Sequence, residues 1–194
     1  MLLTKATSWE FENQRLLINY KERPHVSKST IDKSGCIYVN INSLEQFHYD
    51  PLGPKYVAFI NLTYDFAISL YNFDKRSGIV YRVNNNKENE PLFFKYLNMI
   101  KKFKRDNFEG RIFGFQNGPI ERHAWKEIVA VLYDNLDLNE VDLFGTETRN
   151  IAINIETGQS FDILMENRLY KPGELTTKIT RDEFEASIKK SIKK

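Results

Sequence analysis

One cysteine in 194 residues, Cys36, leaves nothing to build an internal disulfide from. No apolar run approaches the roughly 18 to 20 residues that a membrane-crossing helix needs, so any membrane connection is expected to run through a partner. A signal peptide is not expected either, because residues 1–20 are interrupted by Lys5, Glu10, Glu12 and Arg15. A reducing cytoplasm is therefore the expected compartment. Charge of either sign is not in excess: 28 Lys and Arg against 26 Asp and Glu leave a formal charge of +2. Nucleic-acid binders usually show a basic balance, so nucleic acid is not an expected partner. The three histidines, His25, His48 and His123, share no metal-ligand spacing, and no phosphate-cradling pattern surrounds Gly114 and Gly118. Neither a metal nor a cofactor is expected.

What the chain does contain is enough apolar side chain, 41% beside 28% charged, for one well-buried core. Residues 8–20 and 35–42 read as short strands, with the polar stretch 22–34, carrying Pro24, as a loop between them. Asp50-Pro-Leu-Gly-Pro54 is the strongest break, and it divides an N-terminal extension, 1–54, from the body of the chain. From residue 56 the pattern is regular. Strands are predicted over 56–61, 66–73 and 79–83, the three forming an antiparallel unit, and again over 111–115, 139–144, 150–155 and 160–165. Leu92, Phe93, Tyr96, Leu97, Ile100 and Phe103 recur at helical spacing, and Pro119 opens a second helix reaching about Leu136. Thr180-Arg-Asp-Glu183 is a capping box before a stripe of Phe184, Ile188 and Ile192, which predicts a helix in the tail, 171–194. The pattern is that of an α/β (α+β) sandwich, with mixed or antiparallel sheets packed against two main helices.

Several segments of the 55–170 body share one resemblance. Asn61-Leu-Thr-Tyr-Asp65 continues through an apolar alternation to Tyr71-Asn-Phe-Asp74; Ser77-Gly-Ile-Val-Tyr81, Arg111-Ile-Phe-Gly114 and Gly118-Pro-Ile-Glu-Arg122 follow. Asp142-Leu-Phe-Gly-Thr-Glu-Thr-Arg149 and Ile155-Glu-Thr-Gly158 close the series. In order and spacing, over residues 56–164, these resemble the CheD family of chemoreceptor glutamine deamidases. The resemblance implies a CheD-like fold and two classes of protein partner, chemoreceptor helices or a CheC-type phosphatase.

In that family a Cys thiolate attacks the side-chain amide of a receptor glutamine while a His moves the protons. Matched residue by residue, the Cys position holds Asp65, the His position Tyr81, and the supporting Thr falls near Phe59. A carboxylate attacking an amide would form a reactive anhydride, and a phenol with a reference pKa near 10 is a donor at neutral pH. The expectation is a catalytically inactive homologue that acts by binding, with Asp65, Tyr81, Phe113, Gly114, Thr146 and Arg149 as its binding positions. Two alternatives stand beside it. Ser34-Gly-Cys36 also echoes the family's nucleophile strand, so Cys36 and His48 could form an active deamidase pair; an exposed, low-pKa Cys36 would favour this, a buried inert one the binding protein. The third is a structural domain repurposed for unrelated partners.

Overall fold

Alternating apolar side chains organise the chain into twelve strands among the described residues, which are 15–19, 21–63, 65–84, 87–100, 108–114, 137–144, 148–165, 176–180 and 182 of the computed structural model. In chain order they are β1 (Arg15–Ile18), β2 (His25–Ser27), β3 (Cys36–Tyr38), β4 (Ser43–His48), β5 (Tyr56–Leu62) and β6 (Asp65–Asn72), followed by β7 (Ser77–Asn84), β8 (Glu109–Gly114), β9 (Asp137–Phe144), β10 (Arg149–Asn154), β11 (Ser160–Leu164) and β12 (Thr176–Ile179). Two short helices are described, α1 (Lys28–Lys33) and α2 (Glu90–Ile100).

The strands form two mixed sheets. One has seven strands in the order β12-β1-β9-β8-β6-β7-β4, the other five in the order β2-β11-β10-β5-β3. Parallel pairs occur in both, β1 with β12 and β8 with β9 in the first, β2 with β11 and β3 with β5 in the second. The fold is mixed α/β, and its two sheets share a core. Phe47, Ala67, Tyr71, Val80 and Phe113 of the first sheet meet Val57, Phe59, Leu62, Ile151 and Ile153 of the second. Period-two alternation sends the neighbours of these residues to the outer faces. Thus Val57 and Phe59 enter the shared core while Tyr56, Ala58 and Ile60 face out towards Ile31 of α1. At one end the Tyr71 hydroxyl donates to the carbonyl oxygens of Ile155 and Glu156 at 2.9 and 2.7 Å, and its ring lies under the β10–β11 turn. Gly158 at that turn has φ +67°, and a Cβ there would fall 2.4 Å from Tyr71 Cδ1, so the glycine is required twice over.

Several expectations need correction. The three strands 56–61, 66–73 and 79–83 do not form one unit: β6 and β7 pair antiparallel, but β5 crosses to the other sheet and pairs with β10 and β3. Residues 22–34 are not a loop, because Pro24 ends before a short strand and a helix begin. Ser27 caps α1 by accepting from Thr30 N at 3.1 Å, Lys28 reaches Asp32 one turn on at 2.8 Å, and Ile31 is fully buried against Ala58, Ala152 and Ile163. β4 and β12 were not anticipated. Residues 50–54 connect β4 to β5, and the strands before this turn, β1 to β4, belong to the same two sheets as those after it. The helix predicted after Pro91 is present as α2. The helix over 119–136 and the stripe of Phe184, Ile188 and Ile192 lie outside the described residues. Among the described residues no helix is long and apolar enough to cross a membrane.

Candidate functional site

Asp65 begins β6, directly opposite Asn84 of β7, and Ala67 stands opposite Arg82. Residues opposed in an antiparallel pair share a face, and Ala67 belongs to the inter-sheet core, so Asp65, Arg82 and Asn84 all point inward. Tyr81, one residue from Arg82, points the other way. It is buried on the outer face, stacked on Tyr96 of α2 with ring centroids 5.0 Å apart and an interplanar angle of 19°. The two positions matched to the family's nucleophile and base are therefore on opposite faces of one sheet, and the structure does not bring them together.

Each is also held in a form unsuited to amide chemistry. Arg82 Nε and Nη2 donate to Asp65 Oδ2 at 2.9 and 2.5 Å, and Asn84 Nδ2 donates to Oδ1 at 3.2 Å. The rest of the guanidinium spans to the carbonyls of Val39 and Asn61, both at 3.2 Å, so the buried ion pair also fastens the ends of β5 and β3. Burial, then the neighbouring Tyr96, push the Tyr81 phenol well above the usual range, which keeps its proton in place. Gly114 completes this end of the sandwich. Its φ is +96° and a Cβ would lie 2.2 Å from the Asp65 carbonyl oxygen, so only glycine lets β8 close over the start of β6.

The alternative pair is separated more widely. Cys36 packs on the outer face of the five-stranded sheet among Ile31, Tyr56 and Ala58. His48 is exposed on the outer face of the other sheet, since its neighbour Phe47 enters the shared core. Both sheets lie between them. Burial, then the charge of Asp32, push the Cys36 thiol up to about 12, with Lys28 opposing, so at neutral pH it is a thiol and not a thiolate. Phe59, at the position of the family's Thr, is a core residue tilted against Phe113 with centroids 6.3 Å apart.

The densest chemistry is a buried ion network between the sheets that sequence reading missed in all but one member. Arg23, in the connection from β1 to β2, places Nη1 2.8 Å from Glu140 Oε1, Nη2 2.6 Å from Asp142 Oδ2 and Nε 2.8 Å from Asp162 Oδ1. Its guanidinium also lies over the Phe113 ring, 5.6 Å from the centroid. Glu140 accepts from Ser160 Oγ at 2.6 Å, and Arg149 Nε lies 2.9 Å from Asp142 Oδ1. Arg111 sits at 3.1 Å from Glu109 and 3.9 Å from Glu140. Glu140 and Asp142 come from the seven-stranded sheet, Arg149, Ser160 and Asp162 from the five-stranded one, so the network joins the two sheets where an apolar core would otherwise do so. Burial disfavours the Arg23 charge, but Asp142, Glu140 and Asp162 more than offset it, and its pKa is raised. Burial also raises Glu140, with Arg23 and Ser160 working against the shift.

Of the expected binding positions, Asp65, Phe113 and Arg149 are buried on the inner face, Gly114 is the buried last residue of β8, Tyr81 is on the outer face, and Thr146 lies outside the described residues. Arg82, a cation inside an apolar strand, and Glu140 and Asp142, two acids on one face of a strand, carry a sequence signal that went unread; Arg23, beside Pro24 in a polar stretch, carries none. Among the described residues no group of three or more His, Cys, Asp or Glu could hold a metal ion. Neither a scan against known protein families nor a search of curated proteins finds a match to this chain.

Proposed function

We propose that this chain is a CheD-like protein of a chemotaxis or signalling system that works by binding a protein partner and not by deamidating it. The partners proposed are chemoreceptor helices or a CheC-type phosphatase. One observation carries the non-catalytic part. Asp65 is bonded to Arg82 on the inner face while Tyr81 is turned outward, so nucleophile and base positions do not meet. The Cys36 and His48 pair gives no better centre, since the thiol is held neutral and the histidine is on the far outer face. The chemotaxis setting and the named partners rest on the ordered sequence resemblance over residues 56–164.

The test pairs two readouts on one set of chemoreceptor fragments and on a CheC-type phosphatase: capture by the immobilised protein, and the mass gain of glutamine deamidation, with Cys36→Ala as control. Capture without a mass gain is the expected result. A mass gain lost in Cys36→Ala would establish the enzyme instead, and absence of capture by either partner class would refute the binding assignment.

A further inference from the structure

We draw no further inference here: the strongest candidate, the outer face of the five-stranded sheet beside α1, where Tyr56, Ile60 and Phe161 are half-buried, carries none because nothing in the structure shows what covers it.

Discussion

Replacing Arg23 with alanine tests whether the inter-sheet network holds the sandwich together. The side chain is 2% exposed and contacts three carboxylates, of which Glu140 and Asp142 are themselves buried. Asp162 is 31% exposed, so water screens its share and the cost falls on Glu140 and Asp142. Truncation leaves Glu140 with Ser160 and a distant Arg111, and brings it next to Asp142 on the same face of β9 without the cation between them. Breaking a buried pair by removing one partner destabilises by about 3–5 kcal/mol. For a chain of this size that is a fall in melting temperature of roughly 6–20 °C. The pH dependence sharpens the test. Glu140 has a folded pKa already raised above its usual 4.5, so the stability linked to it is present at low pH and is lost as pH rises through the raised value. Without Arg23 the shift grows, and the deficit of the variant is therefore larger at neutral pH than below the usual Glu range. Chemical denaturation followed by circular dichroism at the two pH values reads both quantities, and Arg23→Ala combined with Glu140→Gln should recover part of the loss. A deficit under about 1 kcal/mol, the scale of an exposed ion pair, or one that does not change with pH would refute the reasoning.

Three further outcomes follow from the same geometry. Asp65→Cys with Tyr81→His installs the residue types of the proposed CheD-like centre but releases no ammonia from receptor fragments, because the two side chains project from opposite faces; measurable release would show that the faces are misassigned. Gly114→Ala, at φ +96° with its new Cβ 2.2 Å from a backbone oxygen, destabilises by about 1–3 kcal/mol or more in a thermal melt, and a neutral effect would contradict the closure of β8 over β6. Cys36, with its thiol raised from 9.0 to about 12, presents about a thousandfold less thiolate at neutral pH than an unshifted thiol. Iodoacetamide should therefore label the folded protein far more slowly than the denatured one, and equal rates would count against that burial.

Where the periodicity was strong and long, the sequence was a good guide. β6 to β11 all lie within a residue or two of their predicted spans, because their β-branched and aromatic residues are bounded by turn chemistry such as residues 74–78 and 156–158. Pairing was harder. Nothing local in residues 56–61 says that β5 leaves β6 for β10; the choice is made by Phe59 and Val57 facing Phe113 and Tyr71 across the core, which is a contact between distant segments. Helix α1 was lost for the opposite reason. At six residues it is too short to show a period, and its evidence is the Ser27 cap and a single buried side chain, Ile31.

The candidate site shows why matching residue types to a motif is not enough to place a reaction centre. In a strand a step of one residue reverses the face, so the difference between position 81 and position 82 decides whether a side chain meets Asp65 or turns away from it. The residue that does meet it is Arg82, and the pair it makes is buried, bonded at both carboxylate oxygens through Arg82 and Asn84, and tied to two further backbone carbonyls. A thiol–imidazole pair needs its two groups in contact and one of them ionisable near neutrality. Here the inner position is an ion pair, the outer one a phenol that keeps its proton, and the free cysteine a neutral thiol packed under α1. Each departure has its own physical cause in face, partner or burial, and none is undone by changing a single residue.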